Sequence, residues 1–283
     1  MKKILVPLDG STLSDHILEQ VDRLLVREDA EVRLLRVLPP VDYEAAPDQR
    51  LSVLEAQRHL GACREELSAR GASVTSVALA NGDPAGKILE YADKYRPSLI
   101  AMSTHGRTGL KRWSRGSVAE RVLRHSPFPV LLWNPFHPGR GGAKGRRIGT
   151  ILVPLDGSAR SAGILPLVRE VARSFGAQVV LLHVTELYPA VGDVPVLQLP
   201  PTPAQVARSL ARYRKVLKGV TVRIRSELGT PAASILEAAR KEKVDLIAMT
   251  THGRSGVTRW AFGSVAEQVL RHCPYPVLAQ REV

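Results

Sequence analysis

Residues 102–118 read MSTHGRTGLKRWSRGSV, and residues 249–265 read MTTHGRSGVTRWAFGSV. Each copy follows an apolar run and precedes a segment with helical periodicity, which predicts a strand, a polar connection and a helix that begins at Gly-Ser. The first N–H groups of a helix have no partner inside it, and the helix dipole favours an anion there. Glycine has no Cβ, so a phosphate can approach the backbone closely. The stretch therefore predicts a phosphate-binding loop, present twice.

A structural alternative stands beside this interpretation, because Gly-Ser before a helix is also an ordinary N-cap. The glycine spacing is ten in both copies, from Gly106 to Gly116 and from Gly253 to Gly263. Duplication would repeat a purely structural turn as well, so the spacing alone does not decide. The residues at the other strand ends have to be considered.

The repeat is found at the start, the middle and the end of the sequence. Residues 4–11 and 151–158 both read ILVPLDGS, an offset of 151 − 4 = 147. Thr-His-Gly-Arg at residues 104–107 recurs at 251–254 with the same offset. We refer to residues 147 apart as twins. Domains are predicted at residues 1–134 and 148–283, joined by a basic glycine-rich linker at 135–147.

Strand-like and helix-like segments alternate within each half. In the first half, strands are predicted at residues 3–8, 32–38, 74–79, 99–102 and 129–133, and helices at 14–26, 49–70, 84–95 and 118–125. This order predicts two α/β domains, each with a mainly parallel, doubly wound sheet of about five strands. Ligands of such sheets bind outside the carboxyl ends of the strands, where the strand order switches. The two Gly-Ser loops are predicted to lie at these ends.

The bulk composition limits the class of protein. The net charge of +13 over 283 residues fits an anionic partner, which can be a nucleotide, a nucleic acid or an acidic surface. No apolar run approaches the roughly 20 residues of a membrane span, so no membrane association is expected. The start, MKKILVPLDG, is typical of a first strand and not of a signal peptide. Two unmatched cysteines, Cys63 and Cys273, fit a reducing cytoplasm.

Several residues at the strand ends are candidates for ligand contacts. Asp9 and its twin Asp156 can accept a hydrogen bond from a ribose hydroxyl, or form an Asx turn that caps the next helix. The backbone of Val37 or of Val184 can meet an adenine edge. The loop histidines and cations can contact phosphate or remain structural and solvated: His105, His252, Arg107, Lys111, Arg112, Arg254 and Arg259. P-loop, GxGxxG, GxSxG and zinc-finger spacings are absent from the sequence.

These features resemble the universal stress protein family, as a tandem of two domains that covers nearly the whole chain. The resemblance rests on the VPLDGS start, the His-Gly to Gly-Ser loop and the closing SPFPVLLW and CPYPVLAQ strands. The ATP-binding members carry G-x2-G-x9-G-(S/T). This pattern falls on Ser103, Gly106, Gly116 and Ser117, and on Thr250, Gly253, Gly263 and Ser264. Both copies depart from the pattern at the first glycine.

The resemblance implies an adenine nucleotide alpha hydrolase-like, Rossmann-like fold that binds ATP, with or without Mg²⁺. It places Asp9 at the ribose or adenine, Val37 at the adenine, and the Gly-Ser residues at the phosphates. The implied nucleotide-binding residues of the first domain are Pro7, Asp9, Val37, Met102, Ser103, Gly106, Gly116, Ser117 and Val118. Those of the second domain are Pro154, Asp156, Val184, Met249, Thr250, Gly253, Gly263, Ser264 and Val265.

Family members dimerise through their last strands, which are residues 130–133 and 277–279 here. The resemblance therefore implies pairing of the two domains within one chain, and leaves a homodimer open. The favoured function is a cytoplasmic, nucleotide-binding stress protein that acts as a sensor or regulator. Two alternatives remain: an enzyme with slow ATP hydrolysis or adenylyl transfer, and a protein that binds nucleic acid or a protein partner through its basic surface. No catalytic residue and no metal site is predicted.

Overall fold

The structure is a computed structural model that describes residues 3–25, 30–38, 46–79, 82–104, 118–136, 147–186, 200–251 and 263–281. The first half contains β1 Lys3–Pro7, α1 Thr12–Asp15, α2 Ile17–Leu24, β2 Glu31–Val37, α3 Ala46–Ser68, β3 Ser73–Leu79, α4 Pro84–Tyr95, β4 Leu99–Ser103, α5 Val118–His125 and β5 Val130–Trp133. The second half contains β6 Thr150–Pro154, α6 Ala159–Ala162, α7 Leu165–Phe175, β7 Gln178–Thr185, α8 Pro203–Ala211, a 3-10 helix Arg212–Lys215, β8 Val222–Leu228, α9 Pro231–Lys241, β9 Leu246–Thr250, α10 Ser264–His272 and β10 Val277–Gln280.

The predicted alternation of strands and helices is confirmed, but the first helix of each half is split in two. A single helix over residues 14–26 was expected, but the structure has α1 and α2 separated at His16. The first helix begins earlier than predicted because the Ser11 side chain accepts a hydrogen bond from the Ser14 N–H and caps it. The second ends at Leu24 because Leu25, at φ −79° and ψ 69°, leaves the helical region. Among the helices in the described ranges, none combines the length and the hydrophobicity that a membrane span requires.

The ten strands form one sheet in the order β3-β2-β1-β4-β5-β10-β9-β6-β7-β8. Within each half the neighbouring strands are parallel. Strand β1 lies between β2 and β4, and β6 lies between β7 and β9. The order in which successive strands are added to the sheet therefore reverses beside β1 and beside β6. These two places are the switch points at which doubly wound sheets bind ligands.

The two halves join through their last strands. β5 and β10 are antiparallel, with Leu131 opposite Leu278 and Val130 opposite Ala279. This confirms the expected pairing of residues 130–133 with residues 277–279 within one chain. The pairing turns two five-stranded sheets into a single sheet.

Both faces of the sheet are buried, and the halves share a core. In β1, Ile4 and Val6 belong to one apolar cluster and Leu5 belongs to the other, as the alternation of a strand requires. The cluster that contains Ile4 also contains Trp133 of β5 and Ile151 of β6, so it runs across the junction between the halves. A sheet covered on both faces explains why the strands read as continuous apolar runs.

The repeat slips by one residue at the third strand of each half. Val37 of β2 pairs with Leu79, whereas its twin Val184 pairs with Glu227, so the offset there is 227 − 79 = 148. The offset of 147 returns at Gly229, the twin of Gly82. The sequence repeat alone did not reveal this slip, because the offset is 147 on both sides of the strand.

A buried ion pair connects the first half to the second. The Nη2 atom of Arg23 in α2 lies 3.5 Å from Oδ1 of Asp245, and the two side chains are only 2% and 1% exposed. Oδ2 of Asp245 accepts hydrogen bonds from the N–H groups of Gly149, at 2.9 Å, and Thr150, at 3.1 Å. The twin of Asp245 is Ser98. Among the described residues, the Ser98 hydroxyl hydrogen-bonds only with the backbone of Lys3.

Helix α4 begins at a side-chain cap that its counterpart α9 lacks. The Asp83-Pro84 pair predicts an N-cap at Asp83, and the structure confirms it, because Oδ2 of Asp83 accepts a hydrogen bond from the Gly86 N–H at 2.9 Å. Arg121 donates to both oxygens of the same carboxylate. The hydrogen bonds from Arg121, and then from Gly86, lower the pKa of Asp83. Thr230 occupies the same position before α9 and makes no side-chain cap hydrogen bond.

The Asp83→Ala variant is expected to lower the free energy of unfolding by about 1 kcal/mol at pH 7, the usual contribution of an N-cap. Because the pKa of Asp83 is lower in the folded state than in the unfolded chain, this contribution is present above the unfolded pKa. It is lost as the pH falls through the folded-state pKa. Urea denaturation at pH 7 and in acid measures both effects. Thr230→Ala is the control, and an equal loss in the two variants at pH 7 would contradict the role of the cap.

Candidate functional site

The turn after β1 is held together by Asp9. Its Oδ1 accepts hydrogen bonds from the backbone N–H of Ser11 at 2.9 Å and from the Ser11 hydroxyl at 2.6 Å. Oγ of Ser11 in turn accepts a hydrogen bond from the Ser14 N–H at 3.1 Å and caps α1. The Asx turn considered for this aspartate is therefore present. The ribose contact stays a prediction, and it has to coexist with the turn.

The turn after β6 has the same geometry. Oδ1 of Asp156 accepts from the N–H of Ser158 at 2.9 Å and from its hydroxyl at 2.6 Å. Oγ of Ser158 accepts from the Ser161 N–H at 3.1 Å. The glycine inside each turn, Gly10 or Gly157, has φ of +81° or +84°, which a residue with a side chain rarely adopts. This φ explains the glycine of both LDGS motifs without any reference to a ligand.

The residue of the neighbouring strand that lies close to the Asp-Gly-Ser turn differs between the halves. Arg36 of β2 is only 6% exposed, and its guanidinium lies so close to Gly10 that a Cβ there would be 1.8 Å from Nη1. The twin of Arg36 is His183, whose Nδ1 lies 2.8 Å from the carbonyl oxygen of Leu155. Sequence reasoning missed Arg36, although a charged residue near the end of an apolar strand was a usable signal. A permanent cation therefore lies beside each turn: Arg36 of β2 in the first half, and Arg212, which donates to the carbonyl oxygen of the turn glycine at 3.0 Å, in the second.

Four of the predicted residues in each half lie on, or pack against, one face of the sheet. Met102 belongs to the buried cluster that also contains Leu5, and Val37 and Val118 pack against that cluster. Pro7 is two residues beyond Leu5 in the same strand, so it lies on the same face. The second half repeats this arrangement with Met249, Val184 and Val265, and with Pro154 at the end of β6. An apolar wall thus stands at the carboxyl ends of the inner strands.

Ser103 and Thr250, the positions of the family's first glycine, are both buried. The Ser103 hydroxyl donates to the carbonyl oxygen of Ser14 at 3.2 Å and so connects the end of β4 to α1. Because Met102 belongs to the cluster on the opposite face, the Ser103 side chain lies across the sheet from the apolar wall. Its direct contact with a nucleotide stays a prediction.

The start of α10 lies at the end of β9. The Gly263 N–H donates to the carbonyl oxygen of Thr251 at 3.0 Å, which closes the connection between strand and helix. Gly263 is the N-cap residue, at φ −61° and ψ 136°, and no side chain caps the helix. Ser264, the first helical residue, is exposed. The first-turn N–H groups of a nine-residue helix therefore begin beside the strand end, as an anion site requires.

Part of the predicted loop lies outside the described residues. This applies to four predicted nucleotide-binding residues: Gly106, Gly116, Ser117 and Gly253. It also applies to the loop histidines and cations: His105, His252, Arg107, Lys111, Arg112, Arg254 and Arg259. In the first half, the described part of this site resumes at Val118, the first residue of α5.

The fold and the strand-end arrangement define a tandem of two Rossmann-like α/β domains. The sequence model of the universal stress protein family matches residues 1–133 and again residues 147–281, so the chain belongs to this family. This match confirms the resemblance of the loop and strand motifs, and shows that it extends over both halves.

Some relatives match the whole chain and others match about half of it. A universal stress protein of Mycolicibacterium smegmatis is 27% identical over 297 residues, which covers 98% of this chain and 96% of that protein. A universal stress protein of Methanocaldococcus jannaschii is 34% identical over 138 residues, 46% of this chain and 81% of that protein. The crystal structure of a universal stress protein from Archaeoglobus fulgidus has the same fold, with a TM-score of 0.72 at 24% identity. The structural match covers 99% of this chain and 96% of the Archaeoglobus fulgidus chain.

Proposed function

We propose that this protein binds ATP or another adenine nucleotide at the carboxyl ends of its strands, and acts as a cytoplasmic sensor or regulator in the stress response. The observation that carries the proposal is the start of α10, where a glycine cap without a side chain is hydrogen-bonded to the end of β9. A phosphate accepts well from first-turn N–H groups in this position, because the helix dipole adds to the hydrogen bonds.

The neighbouring strand ends supply surfaces for the rest of a nucleotide. The apolar side chains of Val184, Met249 and Val265 share one cluster and offer a wall for an adenine ring. Asp156 lies at the end of β6, adjacent to β9 at the switch point, where a ribose would connect the base to the phosphates. The first half supplies the same types of residue. The net charge of +13 further favours an anionic ligand.

Calorimetric titration of the nucleotide-stripped chain with ATP, with and without Mg²⁺, tests this proposal. We expect saturable binding at one or two sites per chain, and weaker binding of tripolyphosphate, which lacks the base and the ribose. Absence of both heat and a thermal shift would overturn it. Displacement by any polyanion, with a steep dependence on salt, would instead favour binding through the basic surface.

The Asp9→Asn and Asp156→Asn double variant tests the ribose contact without breaking the turns. Asparagine keeps the Oδ1 atom that accepts from Ser11 or Ser158, but it loses the negative charge. We expect ATP affinity to fall about tenfold, since hydrogen bonds to charged groups contribute about 1.5–3 kcal/mol. Pyrophosphate affinity should change little, and an equal loss for both ligands would contradict the ribose role. Alanine at both positions is the comparison, because it removes the turn as well.

A further inference from the structure

Three side chains of different chemistry meet between α1 and α3. Nε2 of His59 lies 2.9 Å from Oδ2 of Asp15 and 3.6 Å from Sγ of Cys63. Each residue offers one atom that could ligate a metal, and these three atoms all lie within 4.8 Å of one another. Cys63 is buried, whereas the side chains of His59 and Asp15 are 22% and 29% exposed. The cluster is therefore reachable from solvent while its sulfur is protected.

The two separations that involve His59 are close to those of ligands around one small ion. With Zn–S about 2.3 Å and Zn–N about 2.0–2.1 Å, a sulfur and a nitrogen on tetrahedral zinc are about 3.6 Å apart. The Cys63 sulfur and the His59 nitrogen have this separation. A nitrogen and a carboxylate oxygen on the same ion would be about 3.4 Å apart. Asp15 and His59 are closer, at 2.9 Å, because they share a hydrogen bond that an ion would replace.

The backbone fixes all three residues. His59 and Cys63 are four residues apart on α3, so both side chains lie on the same side of that helix. Asp15 ends α1, and its Oδ1 accepts a hydrogen bond from the Ser14 hydroxyl at 3.2 Å. The carboxylates of Asp15 and Glu66 place negative charge near the Cys63 sulfur, which favours a cation there.

The second half does not share this cluster. The buried positions of α3 match those of α8 and the following segment with an offset of 150: Ala56 and Val206, Leu60 and Leu210, Cys63 and Tyr213, and Leu67 and Leu217. By this match the counterpart of His59 is Ser209, and the twin of Asp15 is Ala162. The shared fold is thus built without these three side chains. Since the fold does not require these side chains, their presence in the first half alone has to be explained in another way.

We infer that Asp15, His59 and Cys63 bind one divalent transition-metal ion, with Zn²⁺ the best match to the mixed oxygen, nitrogen and sulfur ligand set. Three protein ligands leave the fourth tetrahedral position for water or another ligand. Sequence reasoning missed this site, because Asp15 lies 44 residues from His59 and the three residues do not form a recognised spacing.

Titration of the untagged, metal-free full chain with Co²⁺ tests the inference. Tetrahedral Co²⁺ bound to a thiolate gives a charge-transfer band in the near ultraviolet and strong visible bands, so the spectrum reports the ligand set. We expect one Co²⁺ per chain with both features, and displacement of Co²⁺ by Zn²⁺. The Cys63→Ser variant should lose the charge-transfer band. Cys273→Ser is the matched control, since Cys273 is also a buried free cysteine but lies outside the cluster, and it should keep the band.

Two further variants keep the thiol and remove the other ligands. Asp15→Asn and His59→Gln should each weaken Co²⁺ binding at least about tenfold, as loss of one ligand requires. A wild-type chain without the band would overturn the inference, as would a band that persists in Cys63→Ser. Binding unchanged by both Asp15→Asn and His59→Gln would also overturn it. Far-ultraviolet circular dichroism checks each fold, and the two thiol-retaining variants decide if Cys63→Ser does not fold.

Discussion

Replacement of Asp245 by alanine is expected to lower the free energy of unfolding by about 3–5 kcal/mol, the usual result of breaking a buried ion pair. The Arg23 side chain, 2% exposed, would lose this carboxylate in a place where water cannot replace it. The N–H groups of Gly149 and Thr150 would lose their acceptor as well. Urea denaturation followed by circular dichroism measures the change. Since the pair connects the two halves, we also expect the transition to become less cooperative.

Ser98→Ala is the matched control, because Ser98 is the twin of Asp245 in the first half and bonds to an exposed backbone. Loss of a neutral hydrogen bond there should cost about 1 kcal/mol. Adding Arg23→Met to Asp245→Ala should recover part of the lost stability, since an apolar side chain needs no charged partner. Equal costs for Asp245→Ala and Ser98→Ala would show that the ion pair contributes little.

Replacement of Gly263 by valine is expected to weaken ATP binding in the second half about 100-fold, equivalent to about 2.7 kcal/mol. The branched Cβ would stand where a phosphate approaches the start of α10. The backbone of Gly263, at φ −61° and ψ 136°, lies in a region that valine adopts readily, so the fold should survive. Loss of binding in a folded variant would therefore be assigned to the ligand site. Calorimetry with ATP gives both the affinity and the number of sites left.

Gly116→Val is the corresponding change in the first half, and the double variant removes both predicted cradles. Gly263→Ala is a graded control, because one methyl group should obstruct the phosphate less than an isopropyl group. A thermal melt of each variant separates a folding defect from a binding defect. Retention of ATP affinity in the double variant would contradict the phosphate-binding interpretation of both Gly-Ser loops.

Features set by short stretches of sequence could be predicted. The alternation of strands and helices follows from apolar runs separated by Gly, Pro, Asp and Ser, and it is confirmed. The cap of α4 at Asp83 is local, since the carboxylate bonds to an N–H three residues later. Pairing of the last strands was expected from the family resemblance and is also confirmed. For Asp9 the sequence allowed two roles, a ribose contact and an Asx turn. The structure contains the Asx turn, which depends only on neighbouring residues.

Contacts between distant parts of the chain could not be predicted in this way. Arg23 and Asp245 are separated by 222 residues, and no periodicity relates a buried cation in one half to a carboxylate in the other. The same holds for Arg36 beneath Gly10 and for the cluster of Asp15 and His59. Such contacts depend on how helices pack over the sheet and on strand register, which a local pattern does not encode.

The junction of β5 with β10 also bears on what each half is free to become. When two copies of one chain associate, every substitution occurs on both sides of their contact, so the partners remain identical. A covalent tandem lifts that constraint, and each half can change alone while the other stays as it is. Three differences are of this kind: Arg36 has His183 as its twin, Asp245 has Ser98, and the cluster of Asp15, His59 and Cys63 has no counterpart. One polypeptide thereby holds two unequal halves at a fixed ratio, and one of them can acquire new residues without cost to the other.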